Sequence, residues 1–199
     1  MADWDADSPT LQQNLVETLR RIRDSAALRG TARVRDAMTW HREIMDGLDV
    51  PKPEYTGRFR GEPGLEAVQV MVGQYEGVPP DQVAEAAAIF ERKLNQVLAR
   101  LDTLIPAGAA LDTDTLAAVL DVCAWAHAEW VRIHPFVNGN GRTARLWANY
   151  VAMRYGLPPF VRLRPRPNAD AYARAGIEAM NGNWNPTAEV FRVMLGEFL

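Results

Sequence analysis

The spacing of apolar residues along the chain predicts a mostly helical protein. Near the N-terminus, apolar residues recur at steps of three or four from Leu11 to Ile22, which is the period of one helix face. Ser8 followed by Pro9 is typical of a helix start, and Gly30 is typical of a helix end. Similar patterns and breaks predict further helices over about 31–48, 79–101, 112–133, 141–155, 169–180 and 186–199.

The predicted helix over about 141–155 is apolar on several sides, with Leu146, Trp147, Tyr150 and Val151 among its residues. A helix of this kind usually lies at the centre of a bundle. Because strands and helices do not alternate along the chain, a parallel α/β sheet is improbable. We therefore expect an all-α fold in a single compact domain.

One short segment departs from the helical pattern. Residues 67–72 are rich in valine and are followed by two glycines, Gly73 and Gly77. β-Branched residues bounded by glycine predict a small strand or hairpin. Residues 49–65, which precede it, are rich in proline and glycine and predict a loop.

Composition narrows the function classes. The chain has 199 residues, a formal net charge of −3 and a single cysteine, so it has no internal disulfide and no cysteine-rich zinc site. Arg162, Arg164 and Arg166 form a small basic cluster interrupted by prolines, for which a solvated loop is the commoner explanation. We therefore expect no nucleic-acid partner. The acidic N-terminus and the lack of a long apolar stretch predict a cytoplasmic protein without a membrane partner, and delivery into another cell stays open at this stage.

The residues that carry chemistry lie between His134 and Arg145. Gly139 and Gly141 open the central helix, and a glycine-rich turn at a helix start can point several N–H groups at one anion. Arg142 and Arg145 share one face of that helix, and guanidinium groups bind phosphate oxygens in pairs. His134 precedes the turn, and histidine is well suited to proton transfer near neutral pH.

Each of these features alone has a plainer explanation. A glycine turn is often only a turn, a lone histidine is more often structural, and two arginines usually form a solvated face. Their combination in one short segment at a helix start favours a phosphate site beside a base. That arrangement predicts transfer of part of a nucleotide to a hydroxyl group.

The segment HPFVNGNGRTAR, residues 134–145, resembles the signature of the Fic domain family, HxFx(D/E)GNGRxxR. The similarity extends over roughly residues 31–198 and includes the segment GRFR at 57–60 and the predicted hairpin. The resemblance implies a helical bundle with a short β-hairpin flap. It also implies a Fic domain over 31–199, with residues 1–30 as an N-terminal helical extension packed on the core.

The resemblance further implies a protein nucleotidyltransferase that moves AMP from ATP to a Ser, Thr or Tyr hydroxyl of a target protein. His134 would be the general base and Phe136 would anchor the motif loop in the core. The nucleotide would be bound by an anion hole, to which Asn140 also contributes a phosphate contact, and by two arginines: Gly139, Asn140, Gly141, Arg142 and Arg145. The flap would bind an extended segment of the target as an added strand through Val68, Gln69, Val70 and Met71.

Asn138 departs from the family signature, which has an acidic residue at that position. In typical members the carboxylate helps to bind Mg²⁺, or Mn²⁺ in its place, at the donor phosphates. The Asn138 carbonyl oxygen is a weak candidate ligand, so we expect weakly bound metal. An alternative remains open: a Fic-like nucleotide-binding regulatory module with weak transferase activity, or with another nucleotide or phosphate donor.

The sequence also lacks the segment (S/T)xxxE(G/N) with which many relatives block their own nucleotide site. Thr39 and Glu43 have the required spacing, but Ile44 follows them. We therefore expect no built-in inhibitory helix, and a separate inhibitor protein of the antitoxin type becomes a candidate partner.

Overall fold

A computed structural model describes Trp4, residues 8–164, Pro167 and residues 170–198. Within them the chain forms seven α-helices: α1 Pro9–Ala27, α2 Val34–Ile44, α3 Val83–Leu104, α4 Thr113–Ile133, α5 Asn140–Arg154, α6 Asp170–Met180 and α7 Asn185–Phe198. Two strands, β1 Met71–Val72 and β2 Tyr75–Glu76, form one antiparallel hairpin between α2 and α3. The predicted all-α fold with a small hairpin is confirmed.

Side-chain caps fix the starts of two helices as the sequence predicts. The Ser8 hydroxyl accepts a hydrogen bond from the N–H of Leu11 at 3.0 Å, and Pro9 occupies the first turn of α1. At α4, the Asp112 carboxylate accepts from the N–H of Thr115 at 2.8 Å. Each cap satisfies an N–H group that has no partner within its own helix.

Helix α5 lies at the centre of the bundle, in agreement with the prediction from its apolar sides. It packs against α4, α1 and α2, and nearly all of its side chains are buried. Trp147 on α5 contacts Trp130 of α4 and Trp40 of α2, with ring centroids 5.8 Å and 4.7 Å apart. The start of α5, which carries the glycine turn, is therefore held in a rigid environment.

Helix α1 shares this core with the rest of the chain. Leu11, Leu15 and Ile22 are buried in the same apolar cluster as α5. The buried guanidinium of Arg154 on α5 reaches the connection after α1, where it donates to the carbonyl oxygens of Arg29 and Gly30. Division of the chain at residue 30 stays a prediction.

The hairpin is shorter than the sequence suggests. Only Met71 of the four predicted flap residues lies in a strand, and it pairs with Glu76. The Val68 carbonyl is bonded to the guanidinium of Arg60 rather than to a second strand, and Gln69 is exposed. Val70 extends the pairing by one hydrogen bond, because its carbonyl accepts from the N–H of Gly77 at 3.0 Å.

Across the part of the chain that the structure describes, no helix combines the length and the apolar character needed to cross a bilayer.

Candidate active site

His134 lies at the junction between α4 and the motif loop. Helix α4 ends at Ile133, and His134 follows in the left-handed conformation, with φ 52° and ψ 56°. Its Nδ1 lies 3.0 Å from the carbonyl oxygen of Val131. Because a carbonyl only accepts hydrogen bonds, we assign the proton to Nδ1, which leaves the lone pair on Nε2.

Burial lowers the pKa of His134 to about 4, and the positive charge of Arg60 acts in the same direction. The hydrogen bond to the Val131 carbonyl opposes this shift, because it favours the protonated ring. The imidazole is therefore neutral at physiological pH, which is the state that a general base requires.

Gly139 sets the entry into α5 and is held there by its neighbours. It adopts a positive φ of 75°, a conformation that glycine adopts more readily than other residues do. A Cβ atom at this position would also lie 2.8 Å from Cε of Met45 and 3.0 Å from Nε2 of His41. The N–H groups of Asn140 and Gly141 belong to the first turn of α5, where intrahelical partners are missing.

A buried histidine on α2 supports the motif loop from behind. His41 accepts a hydrogen bond from the N–H of Gly57 through Nδ1 at 2.9 Å, so its Nε2 carries the proton and donates to the carbonyl of Asn138 at 3.0 Å. Its ring also stacks on Phe136 with centroids 4.0 Å apart. Burial lowers the pKa of His41 to about 3, which keeps the ring neutral and these two bonds fixed.

The Asn140 side chain is bonded to the backbone of the motif loop, and the phosphate contact expected of Asn140 stays a prediction. The side chain is 2% exposed, its oxygen accepts from the N–H of Phe136, and its amide donates to the Phe136 carbonyl, both at 2.8 Å. Phe136 itself is fully buried, and its role as an anchor of the motif loop stays a prediction. The Asn140 side chain thus closes the loop onto its anchor, and its backbone N–H is the group that remains for a phosphate.

Arg145 and a tyrosine from α6 form the floor of the site. The Tyr172 hydroxyl bridges Nη1 of Arg145 at 3.3 Å and Nε2 of His127 at 2.8 Å. Nη2 of Arg145 donates to the carbonyl of Leu163 at 3.3 Å. The Nε atom of Arg145 is buried and has no hydrogen-bond partner among the described residues. Arg145 also lines the cavity described below, where its positive charge suits an anionic ligand.

These groups surround one cavity of about 530 Å³. It is lined by His134, by the loop and helix start from Asn138 to Arg142, by Arg145, and by Val70, Met71 and Val72 of the hairpin. A larger cleft of about 890 Å³ lies between α6 and α7, but none of the motif residues lines it. The smaller cavity is therefore the one that most of the predicted site residues line.

The structure brings most of the predicted site residues together and adds others. Phe136 is fully buried and does not line the cavity, and neither do Val68 and Gln69. Tyr172 and Arg164 also line the cavity. The segment that begins at Tyr172 resembles the part of the family that closes the nucleotide site, but no role for this tyrosine itself was predicted. For Arg164 the sequence suggested only a solvated loop. Arg166, the third member of the basic cluster, lies outside the described residues.

The donor groups around the cavity fit a divalent cation poorly. No Asp or Glu is found among the described residues that line it, and no cluster of three metal-binding side chains occurs in the described chain. The Asn138 side-chain oxygen already accepts from the N–H of Gly139 at 2.6 Å and lies 3.5 Å from Nη2 of Arg142. Since Mg²⁺ prefers carboxylate and other hard oxygen ligands, this neutral oxygen beside a guanidinium is a weak ligand.

Residues 31–152 match the family model described as Fic/DOC family. This match spans more than half of the 199 residues, so the chain belongs to the Fic/DOC family.

Relatives and solved structures agree with this assignment. The chain is 33% identical over 139 residues to protein adenylyltransferase fic-1 of Caenorhabditis briggsae, covering 69% of this chain and 22% of that protein. It is 35% identical over 128 residues to protein adenylyltransferase Fic of Drosophila erecta, covering 64% of this chain and 21% of that protein. The structure of Fic-1 (residues 134–508) from C. elegans superposes with a TM-score of 0.61 at 25% identity, over 92% of this chain and 48% of that one. The chain thus spans about a fifth of the length of these curated relatives.

Proposed function

We propose that this protein transfers AMP from ATP to a hydroxyl side chain of a target protein. The observation that carries the proposal is the cavity in which a neutral histidine, His134, lies beside the glycine turn, Arg142 and Arg145. Helix N–H groups and guanidinium donors together suit a polyphosphate. The matched relatives in C. briggsae and D. erecta, both named protein adenylyltransferases, support the same reaction.

In this reaction, Nε2 of His134 takes the proton of the target hydroxyl. The hydroxyl oxygen forms a bond to the α-phosphorus of ATP, and the bond from that phosphorus to the bridging oxygen breaks, so pyrophosphate leaves. The N–H groups of Asn140 and Gly141 and the guanidinium of Arg145 face the charge that builds up on the phosphate oxygens. Preorganised donors of this kind stabilise the transition state more than the ground state.

The hairpin is the proposed docking edge for the target. Met71 is 47% exposed and lies in β1, next to the buried Val70, and both line the cavity. An extended target segment that pairs with this edge would bring its hydroxyl to His134. Val68 and Gln69 would contribute to docking only at the start of that edge.

The divalent cation implied by the activity of the relatives would be held mainly by the phosphates of ATP. When bound, it would neutralise phosphate charge. Asn138 is the one candidate metal ligand from this chain in our proposal. Arg142, Arg145 and Arg164, which line the cavity, would supply the positive charge that the protein itself contributes.

The alternative, a nucleotide-binding regulatory module, receives less support. Tyr172, Arg142 and Arg145 line the same cavity as His134. Because Nδ1 of His134 is bonded to the Val131 carbonyl, Nε2 is the nitrogen that accepts a proton. The names of the matched relatives describe enzymes rather than regulators. A separate inhibitor protein and a cytoplasmic location stay predictions from the sequence.

Transfer is tested directly with purified protein, host lysate and ATP labelled at the α-phosphate, in the presence of Mg²⁺ or Mn²⁺. We expect labelled target proteins with the wild-type chain. If a target known to be present and accessible remains unlabelled while ATP binds the purified protein, the proposal is wrong.

The pH dependence of transfer follows from the lowered pKa of His134. Because the base is already neutral, kcat/KM for the target should be nearly constant between about pH 6 and 8. The rate should begin to fall as the pH approaches the pKa of His134, about 4, and should decrease with unit slope only below that value. The measurement is a pH profile at saturating ATP, with ATP binding followed at each pH as the control. A midpoint near 6.5, the ordinary value for histidine, would contradict the assigned environment.

A further inference from the structure

Arg60 is a buried cation without an acidic partner among the described residues. Its side chain is 1% exposed, and no ion pair joins it to an Asp or Glu in the described chain. The guanidinium instead donates to four backbone carbonyls: His134 at 2.8 Å, Val78 at 2.7 Å, and Val68 and Ile133 at 3.2 Å. Removing a charge from water is expensive, and a fold retains such a group when its hydrogen bonds are specific.

The four carbonyls belong to two parts of the site. Ile133 and His134 form the end of α4, where carbonyl groups have no partners within the helix. Val68 and Val78 lie on either side of the hairpin, one before β1 and the other after β2. A single planar guanidinium therefore connects the backbone of His134 with the segments that enter and leave the hairpin.

Two further contacts strengthen this connection. The N–H of Arg60 donates to the carbonyl of Pro135 at 2.8 Å, so the backbone of Arg60 also holds the motif loop. At Gly77, an added Cβ atom would lie 2.9 Å from Cβ of His134 and 3.1 Å from Nη2 of Arg60. Gly77, directly after β2, thus packs against His134 and the guanidinium of Arg60, with no room for an additional atom.

His134 needs such support because its backbone is left-handed, which is unfavourable for a residue with a Cβ atom. The guanidinium of Arg60 donates to the carbonyl of His134, and the N–H of His134 donates to the carbonyl of Trp130 at 3.0 Å. Both peptide groups that flank the imidazole-bearing Cα are therefore fixed, and the position of the ring follows from them.

We propose that Arg60 is a positioning residue that holds the flap and the backbone of His134 as one rigid unit. A hydroxyl carried by a target segment on the flap then arrives at a fixed distance from Nε2 of His134. This proposal rests on the proposed function for its kinetic consequences, but the rigid unit itself can be measured without any transfer.

The kinetic test replaces Arg60 with Met, which keeps an unbranched chain but removes every donor, and with Lys, which keeps one charged donor group. Displacement of reacting groups by about 1 Å costs on the order of 10²-fold in rate. For R60M we therefore expect kcat/KM for the target to fall by about 10²-fold, with a lower kcat and a higher target KM. The dissociation constant for ATP should change by less than about threefold, because Arg60 does not line the cavity. R60K should recover part of the loss.

Arg58 provides the matched control. It lies two residues earlier, pairs with Glu62 at 3.2 Å and donates to the Pro63 carbonyl. Within the described part of the chain, neither contact involves His134 or the hairpin. R58M should leave the kinetic constants within about twofold. An R60M protein that folds and keeps the wild-type kcat/KM would overturn the proposal, as would an equal fall in ATP affinity and target turnover.

Hydrogen–deuterium exchange tests the rigid unit independently of activity. In R60M, or in R60K if R60M does not fold, the N–H groups of Gly77 and His134 should exchange at least about tenfold faster, while those in α1 stay unchanged. Uniformly faster exchange, or no change at Gly77 and His134, would overturn the proposal. If the wild-type protein transferred no AMP, the proposed function would fail and this exchange pattern would still decide the role of Arg60.

Discussion

Replacement of His134 by alanine should abolish AMP transfer while leaving ATP binding nearly unchanged. The imidazole is the proton acceptor in the proposed reaction, and removal of a positioned general base typically costs on the order of 10²- to 10⁴-fold in rate. The groups proposed to bind the phosphates, the start of α5 with Arg142 and Arg145, remain in place. The measurement compares kcat for target labelling with the dissociation constant for ATP in the same preparation.

A second variant separates the proton transfer from the backbone geometry. His134 is left-handed, and asparagine tolerates that conformation better than alanine does. H134N therefore keeps the turn after α4 but provides no base near neutral pH. Both variants should lose transfer to a similar extent. Wild-type rates in either one would show that His134 is not the base, and loss in alanine alone would assign the residue to the turn rather than to catalysis.

Replacement of Asn138 by aspartate should increase Mg²⁺-dependent transfer. The two side chains have nearly the same shape, so the carboxylate can keep the hydrogen bond from the N–H of Gly139, which now ends on a charged acceptor. Its second oxygen then offers the hard, charged ligand that Mg²⁺ prefers. We expect kcat/KM for ATP to rise by about tenfold with saturating Mg²⁺, a gain of about 1.4 kcal/mol.

The same change should weaken ATP binding when the metal is removed with EDTA. The new carboxylate would lie close to Arg142, whose Nη2 is now 3.5 Å from the side-chain oxygen, and would repel the phosphates. Asn181, which is exposed in the turn after α6, offers a control of equal charge change, because N181D lies outside the cavity. Equal rates for N138D and the parent with Mg²⁺ would show that the neutral amide does not limit the use of metal.

The sequence predicted the central part of the site because that part is contiguous. His134, the glycine turn and both arginines lie within one segment, so their spacing along the chain determines their placement once α4 ends and α5 begins. The end of α4 at Ile133 follows from Pro135 alone. The central position of α5 follows from its apolar sides, which no solvent-facing helix would carry.

The supporting groups could not be predicted in this way, because their contacts join distant parts of the chain. Arg60 donates to carbonyls that lie between 8 and 74 positions away along the chain. Tyr172 contacts His127, which lies 45 positions away. A buried arginine that donates only to carbonyls leaves no periodic or charge pattern to recognise. The flap shows the same effect, since Arg60 takes the Val68 carbonyl and shortens the strand that valine-rich composition suggests.

Intact-protein mass spectrometry of a modified target tests the central claim most directly. A purified target is incubated with ATP, Mg²⁺ and either the wild-type protein or its H134A variant. We predict that the wild-type protein adds the mass of one AMP group to the target, that pyrophosphate is released, and that the variant adds nothing. Addition of a phosphate group alone, or addition of AMP at the same rate by the variant, would contradict the account.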